Sequence, residues 1–487
     1  MGLLQHTGMF EGFLSEKEIK EKLSELKEID EDMYLYLLNE KIKFNKIKVL
    51  KKIVEQTIKR YLVRIIGYEE ATTIKEYLLK FIEEYQKRIS VKKLVDIINR
   101  PTDKKKILYL TCSPTLNLMR ESIYLRKAGY ETILLMESVS LIKFAERYFD
   151  AVYVFDSIYT LFYILKKANP YLIHVQGTTH RANHFGILAK LLSKSKIVFN
   201  FYDIPSTAGT KEDIMFGWKK KDVELDFFSE RFACERCDGI IFGYSTEVRE
   251  ILKSRYRISS PMLEFNSYAC DEFMQNNISK YSREDGKIHI VYGGNGGSIV
   301  PPNRDDKFYR LIEKITRQGI YFDIYVNLHM TPWRIKHEFG DYILLSKENN
   351  FFNFKKGLLL DKATKEFSKY DFGAMIYLFD KADKGIGMKE HNRTRLPDKF
   401  FTYMEAGLPI LVSEELQYVA KLVKEYEMGI VVSQRDLDNL TEVINSYDRE
   451  KLKANVKRAR EELSMKRHIG RLINFYEQIA ENKKGNV

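Results

Sequence analysis

Three cations, Arg393, Arg395 and Lys399, crowd the start of a short predicted helix in the stretch HNRTRLPDKFFTYMEAGLPILVS, residues 391–413. A helix N-terminus already carries roughly half a positive charge and several unpaired N–H groups, so a surface helix normally gathers carboxylates there. Cations in that place point to a bound anion, a phosphate above all. A second cradle stands upstream, where the apolar run KIHIVY meets Gly293, Gly294, Asn295, Gly296 and Gly297. Glycines there would let backbone N–H groups come close to a pyrophosphate. The plainer alternatives are a solvated basic loop for the first stretch and a loose surface loop for the second.

Groups able to move a proton lie elsewhere. His174, His180 and His184 fall in HVQGTTHRANH, after a predicted strand at 171–175, and Tyr202 and Asp203 end the next strand at 197–201. In a doubly wound sheet the ligand crevice lies beyond the carboxyl ends of the strands, so both loops should open onto one cleft. His174 lies within its strand and His184 at the start of the following helix, which leaves His180 and Asp203 as the catalytic candidates. Asp203 could serve as general base toward an acceptor hydroxyl, or simply cap the turn before Pro205. Asn117 and Arg120, after the first strand, join Tyr202 on the acceptor side.

The elements that must hold these groups can be read from apolar period and punctuation. Pro397 has its φ preset for a first helical position, Gly407 is a left-handed stop, and Pro409 forbids continuation, so 398–406 is a helix running into the strand 408–412. Short apolar strands at 106–111, 131–136, 151–155, 171–175 and 197–201 alternate with helices, the pattern of a parallel sheet covered on both faces. After a polar linker, 275–286, a second such set begins at 287–292 and includes 321–326, 374–377 and 429–432. Residues 1–103 are nearly free of Gly and Pro and read as a helical extension, opening on the capping-box match Ser15-Glu16-Lys17-Glu18. Within it Lys41 to Arg64 alternates basic and apolar residues, and such a helix either packs on its neighbours or lies on anionic lipid.

The run Pro397-Asp398-Lys399-Phe400-Phe401-Thr402-Tyr403-Met404-Glu405-Ala406-Gly407-Leu408-Pro409 resembles the P-x-K-x-x-E-Y-x-x-x-G-x-P signature of GT-B glycosyltransferases, family 4 in particular. Tyr370-Asp371-Phe372-Gly373-Ala374-Met375 is similar to the strand preceding that signature, and 230–245 to a run near the end of the first GT-B domain. The resemblance covers about 104–480, with its specific motifs in the second half. It implies an α/β protein of two Rossmann-like, doubly wound parallel-sheet domains. These are an acceptor domain at 104–283 and a nucleotide-sugar domain at 284–463, with a last helix at 464–487 crossing back to the first.

What the resemblance further implies is transfer of a sugar from a nucleotide-sugar donor to a glycan, lipid-linked or protein acceptor, with no metal or other cofactor. The donor would meet Gly293 to Gly297, Arg393, Arg395 and Lys399. Thr402 stands where the family usually has a glutamate on the donor ribose, and Glu405, one turn on, could replace it. The family's phosphate-binding Arg and K-G pair are missing after the glycine loop, where Arg304 or Lys307 could substitute. Two other readings remain open: an epimerase or phosphorylase on the same fold, and a degenerate GT-B domain acting as scaffold or partner.

Composition sets the outer bounds. The chain has 487 residues, is 44% hydrophobic and carries a formal charge of +12. That suits two domains with an extension, and partners that are anionic. No arginine-rich tail or RNA-binding signature points to nucleic acid. The start MGLLQHTGMFEGF lacks the pattern of an export signal and no long apolar run is present, so a cytoplasmic protein is expected, with a peripheral place on the inner membrane face as an option. Four cysteines suit a reducing compartment, and the C-x-x-C at Cys234 and Cys237 reads as helix packing. The D-x-D at Asp436 and Asp438 reads as a helix cap.

Overall fold

The computed structural model describes residues 91–481, apart from 138–141, 156, 179–182, 213–219, 277, 295–306, 327–334, 336–337 and 380–385. His180, Asn295, Gly296, Gly297, Arg304 and the basic stretch 41–64 therefore lie outside the described residues.

Runs such as KILYLT and ILVS are buried along their whole length, as parallel strands covered on both faces must be. Among the described residues, seven strands form one parallel sheet: β1 (Lys106–Thr111), β2 (Glu131–Met136), β3 (Ala151–Val154), β4 (Leu172–Gly177), β5 (Lys196–Phe201), β6 (Gly239–Phe242) and β7 (Met262–Glu264). Their order is β3-β2-β1-β4-β5-β6-β7. A second sheet holds β8 (His289–Gly293), β9 (Tyr321–Tyr325), β10 (Phe352–Lys355), β11 (Phe372–Met375), β12 (Ile410–Ser413) and β13 (Gly429–Val432) in the order β10-β9-β8-β11-β12-β13, again parallel. In each the chain starts at a central strand, builds outward to one edge and then returns to the other side. This creates the switch point where open α/β sheets bind ligands.

The helices that frame the cleft and its supports divide between the domains. In the first they are α1 (Val91–Asn99), α2 (Leu116–Lys127), α3 (Asn183–Leu192), α4 (Pro205–Ala208), α5 (Lys220–Arg236) and α6 (Glu247–Arg255). In the second they are α7 (Ile386–Thr394) and α8 (Asp398–Glu405), and α9 (Met465–Glu481) ends the described chain. One device recurs in both sheets. Asp238, just before β6, accepts the N–H of Ile197 in β5 at 2.9 Å, and Asp371, just before β11, accepts that of His289 in β8 at 2.9 Å. Each carboxylate satisfies a donor at the start of the neighbouring strand, so the resemblance at 370–375 marks a structural aspartate.

The expected boundary at 103/104 is corrected. Leu94, Val95 and Ile98 of α1 are buried in the core of the first sheet, and Asn99 donates to the carbonyl of Lys167 at 2.9 Å. The first domain thus begins no later than residue 91, and Pro101 merely turns the chain between two of its own elements. The strands β7 and β10, short and only partly buried, were not foreseen.

Pro397 sits one position earlier than expected. Its ψ of 147° is extended, which makes it the residue before the helix, and Asp398 is the first residue of α8. The far end follows the glycine rule: Gly407 has φ +70°, its N–H bonds the carbonyl of Met404 and that of Leu408 bonds Tyr403, each at 2.9 Å. That double bond pattern is the Schellman stop.

The chain crosses between domains twice, and the two crossings are hydrogen-bonded together. Ala269 N–H donates to Leu463 and Met465 N–H to Ala269. Beyond the second crossing α9 lies on the first domain, where Glu477 meets Lys105 at 2.7 Å and Tyr130 at 3.0 Å. Among the described residues no helix is long and apolar enough to cross a membrane.

Candidate active site between the two domains

The ends of β5, β6 and β7 face the start of α8 across a cavity of about 210 Å³. From the first domain it is lined by Asn117 and by Asn200, Tyr202, Asp203, Tyr244 and Ser267 among others. From the second come His391, Arg395, Pro397 and Asp398. The walls are stitched by main chain: Ser245 N–H donates to the carbonyl of Thr394 at 2.8 Å, beside an antiparallel bridge between Tyr244 and Arg395.

Lys399, on the first turn of α8, reaches the carboxyl end of β8. Its ammonium lies 3.8 Å from the centre of the Tyr292 ring and donates to the Tyr377 hydroxyl at 3.2 Å, and among the described residues no carboxylate pairs with it. Burial lowers its pKa, opposed by Tyr377 and aided by Arg395. Burial would raise Tyr377, but Lys399 and Arg395 outweigh it and hold the phenol below its ordinary value. An arriving anion would relieve the mutual repulsion of these two cations. Neither tyrosine was foreseen, because a tyrosine in or beside a buried strand reads as core.

Gly293 and Gly294 border this centre, though not as a set of free donors. The N–H of Gly293 is bound by the Tyr403 hydroxyl at 2.9 Å and that of Gly294 by the carbonyl of Tyr325. Their contribution is space: Gly294 has φ +136°, and a Cβ there would stand 3.4 Å from the Lys399 nitrogen. The expectation that these two amides cradle a pyrophosphate is corrected accordingly.

Arg393, Arg395 and Lys399, adjacent in sequence, part company in space. Arg393 turns to Glu247 at the start of α6, at 3.0 Å and in solvent, so it does not join Lys399. Arg395 stays in the cavity wall and donates to His391 Nε2 at 3.1 Å, while its own buried Nε finds no partner among the described residues. Burial, then Arg395, depress His391 to about 3, so this imidazole is neutral at physiological pH. Because Nε2 accepts from Arg395, the ring proton sits on Nδ1, which faces Thr207 Oγ1 at 3.4 Å.

An anion does occupy the N-terminus of α8, and the chain supplies it. Asp398 accepts the hydroxyl of Tyr202 at 2.9 Å and that of Ser267. A carboxylate in the first turn is favoured by the helix dipole. Nothing in the sequence singles out Asp398, because an acid in the first turn of a helix is ordinary. Tyr202 and Asp203 both line the cavity, and although Tyr202 is 36% exposed, desolvation of its hydroxyl against the cavity wall and then the nearby carboxylates Asp398 and Asp203 push the phenol up. Asn117 also lines it, its Oδ1 accepting from Gln176 at 2.9 Å and from Thr115.

Arg120, expected on the acceptor side, is instead wholly buried away from the cavity. Its Nε and Nη2 meet the two carboxylate oxygens of Glu405 at 2.8 and 2.7 Å, and Nη2 also reaches Thr402 Oγ1 at 3.2 Å. Glu405 Oε1 further accepts the N–H of Cys270 at 2.9 Å. Burial raises the pKa of Glu405 against the pull of Arg120, but a fork in which both oxygens accept N–H bonds belongs to the ionised pair. With these bonds made, Glu405 and Thr402 face Arg120, so the expected stand-in role of Glu405 at a donor ribose is corrected.

Other candidates are structural. His174 is fully buried, 2.5 Å from the Tyr476 hydroxyl through Nδ1, and His184 is buried in α3. Cys234 and Cys237 are free thiols packed in the first core, pushed up by burial. Asp436 accepts the N–H of Ser433 at 2.7 Å, and Asp438 meets Lys314 at 2.7 Å. Among the described residues no group of three or more His, Cys, Asp or Glu could hold a metal ion.

Comparison with solved structures defines the class. A glycosyltransferase from Rickettsia africae aligns with a TM-score of 0.51 at 12% identity, over 78% of this chain and 100% of its own. A sucrose-phosphate synthase from Thermosynechococcus elongatus aligns at 0.54 with 11% identity, over 77% and 99%. The protein has the GT-B fold, two Rossmann-like domains facing each other across a cleft. No curated protein matches it by sequence. Residues 335–474 match the family model of the glucosyltransferase 3-like C-terminal domain, a stretch that includes α7, α8 and the strands β10 to β13.

Proposed function

We propose that this chain is a glycosyltransferase that binds a nucleotide-sugar donor against the second domain, an acceptor against the first, and transfers the sugar across the cavity between them. The observation that carries the reading is the Lys399 centre, a mostly buried ammonium at the carboxyl end of β8, beside Gly294 and, among the described residues, without a carboxylate partner. With Arg395 it would meet the charge that grows on a departing diphosphate. The cavity, smaller than the roughly 300–1,000 Å³ of a typical ligand pocket, suits one sugar ring with the nucleotide lying outside it. Asp203 would accept the proton of the acceptor hydroxyl.

The test is a thermal-shift panel of UDP, GDP, CDP and ADP on the wild type and on Lys399→Met. One nucleotide should stabilise the wild type, and the variant should bind it about tenfold or more weakly, since a charge-assisted hydrogen bond contributes about 1.5–3 kcal/mol. Binding that is unchanged in Lys399→Met would reject this donor site. The ties of Thr402 and Glu405 to Arg120 favour a second reading, a GT-B domain that has become a scaffold, and no stabilisation by any of the four nucleotides would support it. Release of nucleoside diphosphate only when acceptor is present separates transfer from epimerisation.

A further inference from the structure

Arg120 and Glu405 sit one storey below the cavity, on the helices whose first turns form its walls. Asn117 precedes Arg120 on α2 by three residues, and Asp398 precedes Thr402 and Glu405 on α8 by four and seven, spacings that put each set on one helix face. Asn117 and Asp398 line the cavity from opposite domains, while Arg120, Thr402 and Glu405 join the same two helices beneath it. The pair also holds the interdomain crossing, since Glu405 Oε1 accepts the Cys270 N–H and the Glu405 carbonyl that of Gln275 at 2.8 Å.

Other charged contacts between the domains differ in kind. Arg147 meets Asp361 at 2.9 Å and Arg393 meets Glu247 at 3.0 Å, all four side chains being about a third or more exposed, and Arg255 meets Glu390 at 2.8 Å through a single guanidinium nitrogen with side chains 33% and 18% exposed. Exposed pairs are screened and hold a geometry loosely. Arg120 and Glu405 are both 0% exposed, and a bidentate fork fixes distance and angle together.

We propose that the Arg120–Glu405 pair is a positioning clamp that sets the width of the cleft and so the register of Tyr202 and Asp203 against Arg395, Asp398 and Lys399. Its effect on transfer rests on the glycosyltransferase reading, whereas its effect on cleft geometry does not. Arg120 and Glu405 touch no substrate in this scheme; they act through the helices they join.

The experiment pairs a geometric readout with a kinetic one. Spin labels at Lys194→Cys in the first domain and Arg317→Cys in the second, both exposed, report the interdomain distance in a Cys112→Ser background, the other three native cysteines being buried. Two variants are compared with the wild type: the apolar pair Arg120→Met/Glu405→Leu, and Arg120→Lys, which keeps the charge but loses the fork. Replacing a buried ion pair by apolar residues of similar size tends to leave stability unchanged or raised. Glu405→Leu also removes the acceptor of the buried Cys270 N–H, so the double variant should melt only modestly below the wild type, and it should show a broadened distance distribution. Its turnover should fall by at least about tenfold, as misplacement of reacting groups predicts. Its affinity for the nucleoside diphosphate should hold, because the Lys399 centre lies within the second domain. Arg120→Lys should broaden the distribution in the same direction, which keeps the proposal testable if the double variant does not fold. A distribution as narrow as the wild type in the folded variants overturns the clamp, whatever happens to turnover. Broadening in a protein that binds no nucleotide would support the clamp and defeat the glycosyltransferase reading.

Discussion

Asp203 stands at the carboxyl end of β5, in the wall of the cavity, two residues before the proline that opens α4. If its carboxylate takes the acceptor proton, Asp203→Asn should melt like the wild type and bind nucleotide equally well. Transfer should drop by about 10²–10⁴-fold, the usual share of a general base. Near-normal turnover in a radiolabelled-sugar assay would leave Asp203 only the turn. At this scale the sequence was legible where a residue type is out of place, as a lysine is at a helix start. It was silent where the type is ordinary. Asp398 is a favoured first-turn acid, Tyr292 and Tyr377 are aromatic residues in or beside strands, and nothing local says that the first lines the cavity or that the other two meet Lys399. The reverse error arose with Arg120 and Glu405, whose charges suggested ligands when each had found the other 285 positions away.

Strands and helices were readable wherever burial imposes a long pattern, which is why β1, β2 and β5 fall where the apolar runs place them. The strands β7 and β10 are short and only partly buried, so they carry too little apolar pattern, and Pro101 reads as a boundary that puts α1 in the extension. A proline reports a local φ, not where a core begins. The glycine beside β12 and the one inside β11 give the element scale its own prediction. Gly407 needs its positive φ, and a notional Cβ there would make only ordinary contacts, 3.7 Å from Arg460 and from the Gln275 carbonyl oxygen, so Gly407→Ala should cost about 1 kcal/mol and leave nucleotide binding alone. Gly373 is different, because a Cβ there would stand 2.3 Å from the ring of Tyr403. That ring braces two strand ends at once, its hydroxyl accepting from Gly293 N–H at 2.9 Å and donating to the carbonyl of Ala374 at 3.1 Å. Gly373→Ala should therefore cost about 1–3 kcal/mol by overpacking and also weaken the nucleotide response, since the brace moves Gly293. Thermal melts with and without nucleotide read both effects. Equal nucleotide responses in the two alanine variants would remove Tyr403 from the donor site.

At the scale of the molecule the two domains are joined by α9, and the largely apolar patch it covers on the first domain encloses a small polar cluster. Tyr109 donates to Glu121 at 3.1 Å, His174 Nδ1 lies 3.8 Å from the same carboxyl group and 2.5 Å from the hydroxyl of Tyr476, and all four side chains are buried. Burial pushes Glu121 up to about 8 and His174 down to about 3, so both are neutral near pH 7. The two act on stability in opposite directions. Glu121 is raised above its unfolded value of 4.5, so its contribution is complete below that value and is lost as pH climbs through 8. His174 is depressed below its unfolded value of 6.5, so its contribution is complete above that value and is lost as pH falls toward 3. Between about 4.5 and 6.5 the slopes oppose each other, and above 6.5 only that of Glu121 remains. The wild type should therefore lose stability between pH 6.5 and 9, by an amount on the order of a few kcal/mol shared with whatever else titrates. Glu121→Gln keeps an acceptor for Tyr109 but cannot ionise, so its stability should be nearly flat over that interval and exceed that of the wild type at pH 9. Urea melts at pH 6.5, 8 and 9 decide the matter: parallel curves for the two proteins would mean that Glu121 is not the acid that α9 seals in its neutral form.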